Sequence, residues 1–194
     1  MRILCLGDSQ TFGFGVPRRL CWVTLSGKRL GCEMANRGLP GDTTGGMLAR
    51  YGAEMERFKP AAIIVMGGSN DVTFGGGDAS ARANIGAIVH QSQARGVTPI
   101  LCTPPPKDIA TARRDWAALM DYGEAERIMD GYAEWLRVFA KVFGIGLVDF
   151  RQYLSETRES VHDGIYVDGI HPNERGHELM AEFFCERVRP LLGL

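Results

Sequence analysis

Five strand-length segments, separated by stretches of helical periodicity, constrain the fold of this chain more than any other feature of its sequence. The third, Ala-Ala-Ile-Ile-Val-Met at residues 61–66, is apolar at every position, which is typical of a strand buried on both faces of a parallel sheet. The five segments are residues 2–7, 33–36, 61–66, 98–102 and 145–150. Their alternation with helical stretches predicts an α/β fold, a three-layer α/β/α sandwich around a five-stranded parallel sheet with right-handed crossovers.

Between the strands, apolar residues recur at intervals of three and four and predict helices. Asp42 or Thr43 can cap the second of these, while Gly31 and Gly96 fit the ends of the first and third. The long helices are predicted over residues 21–30, 43–58, 79–95, 125–142 and 173–188, and an amphipathic stretch precedes residue 160. Because no repeat, low-complexity segment or linker divides the sequence, we expect a single domain over residues 1–194.

The composition narrows the class of ligand. The formal net charge is -1, so neither a nucleic acid nor an acidic partner is indicated, and a small molecule is the expected ligand. The sequence contains no run of roughly 18 apolar residues, and it enters its first strand at Arg2 or Ile3 without the charged and apolar regions of a signal peptide. We therefore expect no membrane span and a cytoplasmic protein.

The five cysteines are odd in number and show no CxxC spacing. Two of them fall inside apolar strand segments, where a free cysteine behaves as a small core residue. We expect buried thiols rather than disulfides or metal ligands at Cys5, Cys21, Cys32, Cys102 and Cys185.

The exit of the first strand carries a candidate nucleophile. The apolar run ends at Gly7, and Asp8 and Ser9 follow at the edge where α/β sheets bind ligands. A serine hydroxyl needs an imidazole to take its proton and a carboxylate to orient that imidazole. His171, with Asp168 three residues before it, can supply both from one loop. The same pair also fits a plain turn, in which Asp168 caps the turn and His171 lies on the surface.

Acyl transfer also needs donors for the developing oxyanion. The donors available at the strand exits are the backbone N–H groups of Ser9 and Gly41 and the side-chain amide of Asn70. Taken alone, Gly41 also fits an ordinary turn glycine, and Asn70 also fits a residue that bonds its own loop. The occurrence of all three at strand exits favours a functional site.

Four motifs, in this order along nearly the whole chain, resemble those of the SGNH hydrolases, also called the GDSL esterase/lipase family. The motifs are Gly7-Asp8-Ser9, the glycine of Asn36-Arg-Gly-Leu-Pro-Gly41-Asp-Thr, Gly68-Ser-Asn70-Asp71 and Asp168-Gly-Ile-His171-Pro-Asn. The resemblance implies a flavodoxin-like sandwich and a cofactor-free, metal-free serine hydrolase of carboxylic esters, with small acyl or acetyl esters as the expected small-molecule substrates. Thioester cleavage and acyl transfer would use the same machinery.

The resemblance also implies roles for particular residues. Ser9 is expected to be the nucleophile, His171 the general base and Asp168 its orienting acid. Ser9 N–H, Gly41 N–H and the Asn70 amide are expected to form the oxyanion hole. One departure is Gln10, which stands where the family name has leucine and could alter the lining of the pocket.

Other histidines receive weaker assignments. His162 is a second histidine near the end of the chain, but no helix start fixes its position, and His171 is preferred as the base. His90 and His177 fall on predicted helix surfaces and are expected to have no role in the reaction.

Two alternative functions belong to other classes. A metal-dependent phosphoesterase would use Asp8, Asp71, Asp168 and His171 as ligands. A flavodoxin-like binding module without enzymatic activity is compatible with the fold alone. Neither alternative accounts for Gly41 and Asn70 together with the Asp-x-x-His pair.

Two segments have no assigned function. Residues 13–15 form a glycine-rich passage, Gly-Phe-Gly, which lacks the spacing of a phosphate-binding loop. Residues 107–127 fit either a connecting helix or a flap over the acyl pocket, with Trp116 and Met120 as its candidate contacts.

Overall fold

The computed structural model describes residues 1–118, 120–160 and 164–194 and contains one parallel sheet of five strands. The strands are β1 (Arg2–Gly7), β2 (Glu33–Gly38), β3 (Ala62–Met66), β4 (Thr98–Cys102) and β5 (Gly146–Val148). Their order across the sheet is β2-β1-β3-β4-β5, and every neighbouring pair is parallel. This order confirms the flavodoxin-like α/β fold that the sequence predicts.

Eight α-helices connect and follow the strands within the described part of the chain. They are α1 (Ser9–Phe12), α2 (Trp22–Leu30), α3 (Thr44–Phe58), α4 (Ser69–Gly75), α5 (Ala79–Ala94), α6 (Tyr122–Phe143), α7 (Phe150–Ser160) and α8 (Glu174–Leu192). Short 3-10 turns occupy Arg18–Leu20 and Arg114–Ala118. Among the described residues, no helix combines the length and apolar character that crossing a membrane requires.

The sheet separates two apolar cores because side chains along a strand point alternately to its two faces. On β1, for example, Leu4 and Leu6 face one core, while Ile3 and Cys5 face the other. Helices α3, α5 and α6 supply the first core, and α2, α7 and α8 supply the second. Helices thus cover both faces of the sheet, as the three-layer prediction requires.

The predicted helix ends agree with the structure where local sequence signals are strong. Thr43 caps α3 by accepting a hydrogen bond from Gly46 N–H at 3.3 Å, and Gly31 ends α2 in the left-handed region at φ 65°. Helix α6 begins at Tyr122, three residues before the predicted start, because Asp121 accepts the capping hydrogen bond from Glu124 N–H. Helix α8 continues to Leu192, with Pro190 inside it.

Two placements differ from the sequence prediction near the sheet edge. Ser9 and Asn70 lie in the short helices α1 and α4, not in open loops. The segment that holds Asp168 and His171 follows α7, which forms the amphipathic stretch that the sequence places between the fifth strand and this segment. Helices of four and seven residues are too short to produce a recognisable apolar period.

The prediction that His177 lies on a helix surface is wrong. His177 is fully buried where α8 packs against α2, and its Nδ1 accepts a hydrogen bond from Trp22 N–H at 3.3 Å. Burial, together with nearby His171, lowers the pKa of His177 to about 4, so the ring is neutral at pH 7. His90 is exposed, as predicted.

The cysteine prediction is confirmed for four thiols, since all five cysteines are free and only Cys32 is partly exposed. The proposal that His162 competes for the role of base lies outside the described residues. The described residues between 107 and 127 form a loop, the 3-10 turn Arg114–Ala118 and the first part of α6.

Candidate active site

Ser9 is the first residue of α1 and follows β1 after a single residue. That residue, Asp8, caps the helix by accepting a hydrogen bond from Gln10 N–H at 2.9 Å. Gly7 is needed at the strand end, because a Cβ there would lie 2.1 Å from Thr11 Oγ1 and 2.7 Å from the Met66 carbonyl oxygen. The sharp change from strand to helix leaves the Ser9 side chain at the sheet edge.

The side chains of Ser9, His171 and Asp168 form a continuous line of hydrogen bonds. His171 Nε2 lies 2.9 Å from Ser9 Oγ, and His171 Nδ1 lies 2.9 Å from Asp168 Oδ2 and 3.1 Å from Oδ1. A carboxylate can only accept, so Nδ1 carries the proton and Nε2 is left as an acceptor for the Ser9 hydroxyl. This is the proton relationship that activates a serine.

Asp168 is held in its ionised form by several donors. Its Oδ1 accepts from the backbone N–H of Ile170 at 3.1 Å and of His171 at 2.8 Å, in addition to the imidazole. Burial by itself raises the pKa of Asp168, but the hydrogen bonds from the His171 ring and from these backbone groups outweigh it and hold the pKa below its usual value. The carboxylate is therefore a permanent acceptor at neutral pH.

The loop that carries this pair is fixed by its neighbours. Gly169 has φ 79°, and a Cβ there would lie 2.5 Å from the backbone of Ala112. The Gly169 carbonyl accepts from Asp108 N–H at 2.6 Å, and Val167 N–H donates to the His171 carbonyl at 2.8 Å. The chain after β4 thus packs tightly against the loop that carries Asp168 and His171.

Gly41 and Asn70 border the same cavity as Ser9 and His171. Gly41 has φ 77°, a left-handed conformation that favours glycine. The Asn70 amide donates one hydrogen to the Asp42 carbonyl at 2.8 Å, which fixes its orientation. An amide NH₂ group has a second hydrogen, and this one has no partner among the described residues.

The cavity has a volume of about 170 Å³ and a mostly apolar lining. Its apolar walls include Phe14 beside His171, Phe74 on α4, and Met120 and Ile170. Ligand sites for drug-sized molecules occupy roughly 300 to 1,000 Å³, so this cavity matches a smaller group. Of the two contacts expected from residues 107–127, Met120 lines the cavity, and the Trp116 side chain lies outside the described part of the chain.

Gln10, the residue that departs from the family name, is buried and also lines the cavity. Its Nε2 donates to the Ile170 carbonyl at 3.4 Å, one residue before His171. The glutamine therefore links α1, which carries Ser9, to the loop that carries His171, a contact that leucine cannot make.

A buried ion network borders the cavity on the side of β4. Lys107 lines the cavity, and its Nζ lies 3.1 Å from Glu126 Oε1. Glu126 Oε2 accepts from Arg151 Nη2 at 2.7 Å and from Lys107 N–H at 3.0 Å. Sequence reasoning missed this network, because a lysine, a glutamate and an arginine on three separate elements leave no spacing signal.

The ligand set of the phosphoesterase alternative does not come together. No three His, Cys, Asp or Glu side chains within residues 1–118, 120–160 and 164–194 lie close enough to hold a metal ion. Asp71 instead accepts hydrogen bonds from Thr44 N–H at 2.9 Å and from Thr44 Oγ1 at 2.5 Å. Asp168 is bonded to His171, as described above.

Comparison with known proteins agrees with the family resemblance of the four sequence motifs. The model of the GDSL-like lipase/acylhydrolase family matches residues 5–179. The chain is 25% identical to esterase TesA of Pseudomonas aeruginosa, in an alignment that covers 98% of this chain and 89% of that protein. It is 23% identical to thioesterase 1/protease 1/lysophospholipase L1 of Escherichia coli, over 98% of this chain and 85% of that protein.

The fold also matches that of solved structures. A member of the lipolytic protein G-D-S-L family from Veillonella parvula superimposes with a TM-score of 0.78 at 23% identity, over 96% of this chain and 97% of that one. Sequence identity at this level supports the fold and leaves the reaction to be argued from the site.

Proposed function

Because the chain belongs to the GDSL-like lipase/acylhydrolase family and is a carboxylic ester hydrolase, we propose that it cleaves esters of short carboxylic acids through an acyl-enzyme on Ser9. The observation that carries the proposal is the hydrogen-bonded line from Ser9 Oγ through His171 to Asp168, with heavy-atom distances of 2.9 Å at both ends. A nucleophile, a base and an orienting acid within hydrogen-bond reach are the requirements for serine catalysis.

In the first half-reaction, Ser9 Oγ attacks the ester carbonyl carbon while His171 Nε2 takes the hydroxyl proton. The carbonyl oxygen becomes an oxyanion, for which Ser9 N–H, Gly41 N–H and the second Asn70 amide hydrogen are the proposed donors. The tetrahedral intermediate then collapses, the ester C–O bond breaks, and His171 gives its proton to the departing alcohol. Asp168 stays ionised and stabilises the imidazolium.

In the second half-reaction, water replaces the alcohol. His171 removes a proton from the water as its oxygen attacks the acyl carbon, and the same donors hold the new oxyanion. Collapse breaks the bond to Ser9 Oγ, which recovers its proton from His171. The products are a carboxylic acid and an alcohol, and the protein returns to its initial state.

The size and lining of the cavity support a short acyl group. A volume of about 170 Å³ is below the roughly 300 to 1,000 Å³ of sites for drug-sized ligands. Mostly apolar walls favour an alkyl chain over a charged one. An acetyl or similarly small acyl group fits this description, while a long fatty acyl group would extend beyond the cavity.

Replacing Ser9 with alanine tests the nucleophile. Ser9→Ala is expected to lower kcat for p-nitrophenyl acetate by at least about a thousandfold and to abolish labelling by a fluorophosphonate probe. Ser155→Ala, on the exposed face of α7, is the matched control and is expected to keep both. Comparable melting temperatures show that each variant is folded. Turnover retained by Ser9→Ala contradicts the proposal.

Acyl-chain preference is tested with p-nitrophenyl esters from acetyl to octanoyl. We expect kcat/KM to be highest for the shortest chains, because longer chains exceed the cavity. A maximum at octanoyl contradicts the short-acyl assignment without affecting the role of Ser9.

Thioester cleavage is a second candidate activity, which is supported by the name of the Escherichia coli relative. The acyl-enzyme is the same, and only the leaving atom changes from oxygen to sulfur. Acyl transfer to an alcohol would also use this intermediate and is supported by the apolar walls near Ser9. Rates with acetylthiocholine, and product analysis in the presence of a primary alcohol, distinguish these activities from ester hydrolysis.

A further inference from the structure

Phe14 has no part in the steps described above, yet its ring packs on the imidazole of His171. The two ring centroids are 4.6 Å apart, and the ring planes are inclined by 42°. Phe14 belongs to neither apolar core, and 43% of its surface is exposed. The main aromatic contact of the ring is therefore with a residue of the candidate site and not with either apolar core.

The backbone around Phe14 places the ring in this position. Gly13 and Gly15, on either side, have φ 84° and 83°, in the left-handed region that favours glycine. The N–H groups of Gly13 and Phe14 both donate to the Ser9 carbonyl at 3.0 Å, so this turn is fixed to the nucleophile. A Cβ at Gly15 would lie 3.0 Å from the side chain of Val167, next to Asp168. The turn thus contacts both halves of the site.

The hydrogen bonds of His171 to Asp168 and Ser9 restrain one motion of the imidazole only weakly. The two bonded nitrogens of His171 flank the ring carbon Cε1, and the line through them defines an axis between Asp168 and Ser9. Rotating the ring about this axis changes the lengths of both hydrogen bonds little. It does, however, turn the Nε2 lone pair away from the direction in which a proton is best transferred from Ser9. An aromatic ring against one face resists such tilting by direct contact.

We propose that Phe14 is a positioning residue that holds the His171 imidazole at the tilt required for proton transfer with Ser9. The inference rests on the proposed serine mechanism. It explains why the glycine-rich passage of residues 13–15 directly follows α1, the helix that carries Ser9. Phe14 acts through His171 and has no bond-making step of its own.

The test compares kcat and KM for p-nitrophenyl acetate in the parent protein and in three variants. Phe14→Ala is expected to raise KM, because its ring also lines the cavity, and in addition to lower kcat by about tenfold or more, since misplacing a reacting group affects the chemical step. Phe14→Tyr is expected to restore kcat to within about twofold, because its hydroxyl can extend into solvent from the exposed edge. Phe14→Leu, which keeps bulk without a flat ring, is expected to fall between them.

Phe74→Ala is the matched control, because Phe74 lines the same cavity from α4 and is 64% exposed. Removing this ring is expected to raise KM and to leave kcat within about twofold, as expected for a residue that only binds substrate. The two alanine variants should therefore differ in kcat.

Several outcomes would overturn the proposal. A Phe14→Ala variant with raised KM and unchanged kcat would make Phe14 a wall of the cavity only. Full recovery by leucine as well as by tyrosine would show that bulk alone is sufficient. If Phe14→Ala does not fold, as judged by its melting temperature, the comparison of leucine with tyrosine decides the question. A parent protein without Ser9-dependent turnover instead contradicts the proposed function itself.

Discussion

A buried acid lies directly before the candidate nucleophile. Asp8 is 1% exposed, and its Oδ1 accepts from Gln10 N–H, while its Oδ2 has no hydrogen-bond partner among the described residues. Burial raises the pKa of Asp8 from 3.8 to about 7, helped by Asp42 and Asp71 and opposed by the bond from Gln10. In the native protein this carboxyl therefore keeps its proton to near neutral pH.

Asp8→Asn is expected to stabilise the protein at neutral and higher pH. Between about pH 4 and 7 the native state holds a proton at Asp8 that the unfolded chain has lost, so the free energy of unfolding falls as the pH rises. Asparagine keeps the acceptor for Gln10 N–H and cannot ionise, which removes this loss. A shift of about 3 units corresponds to about 4 kcal/mol above pH 7.

Urea unfolding of the parent and of Asp8→Asn at about pH 4, 6 and 8 measures this effect. The difference in the free energy of unfolding should grow with pH. A difference that is the same at all three pH values contradicts the raised pKa of Asp8.

At the residue scale, the sequence was most informative where functional groups follow strands. The structure places Ser9, Gly41, Asn70 and His171 around one cavity, with Asp168 behind the imidazole. The catalytic roles of these residues stay predictions until the variants are measured. The contact of Phe14 with His171 was missed, because a pair of glycines indicates a turn without indicating where the side chain between them points.

At the scale of elements, two glycines illustrate opposite requirements. Gly131 lies inside α6 with ordinary helical geometry, and a Cβ there meets nothing within 4 Å. Gly169 has φ 79° in the loop that carries Asp168 and His171, and a Cβ there would lie 2.5 Å from the backbone of Ala112. One position accepts alanine, and the other has no room for it.

Gly131→Ala is expected to raise the free energy of unfolding by about 0.5 to 1 kcal/mol, because alanine loses less conformational entropy in a helix. Gly169→Ala is expected to lower both stability and kcat, because the loop that carries Asp168 and His171 must move away from Ala112. Urea unfolding and turnover of p-nitrophenyl acetate measure the two effects. Unchanged kcat in Gly169→Ala would show that the loop accommodates the added methyl group without displacing His171.

Prediction of elements from the sequence succeeded for long segments and failed for short ones. The strand at residues 98–102 was located at both ends, and α2, α3 and α5 were placed within one or two residues. Helices α1 and α4 give no helical signal in the sequence, since one or two turns carry too few apolar positions to show a period. The burial of His177 was missed, because the packing of α8 on α2 decides which face of the helix is covered.

At the scale of the whole molecule, the ion network at Glu126 joins three parts of the chain. It links Lys107 after β4 to Glu126 on α6 and to Arg151 on α7. The Lys107, Glu126 and Arg151 side chains are 3%, 12% and 6% exposed, so water screens the charges little. Removing one charge from such a buried network strongly lowers the free energy of unfolding, because the remaining charges lose their partner.

Glu126→Gln is expected to lower the free energy of unfolding by roughly 3 kcal/mol, because Lys107 and Arg151 lose the carboxylate that they share. Glu134→Gln is the matched control on the same helix. It removes an exposed ion pair with Arg137, in which the Glu134 side chain is 65% exposed, and should cost less than about 0.5 kcal/mol. Equal losses in urea unfolding would contradict a special contribution from the buried network.

The separation of Ser9 and His171 along the chain has a consequence for how activity would depend on protein concentration. Ser9 and His171 are 162 residues apart and are brought together by the sheet. A single proteolytic cut at Gly76 or Gly77, between α4 and α5, would leave the hydroxyl with β1 to β3 and the imidazole with β4 and β5. Specific activity of the intact protein is independent of dilution, whereas that of the nicked protein would follow the association of its two fragments. Esterase turnover would then serve as a complementation assay for the pairing of β3 with β4.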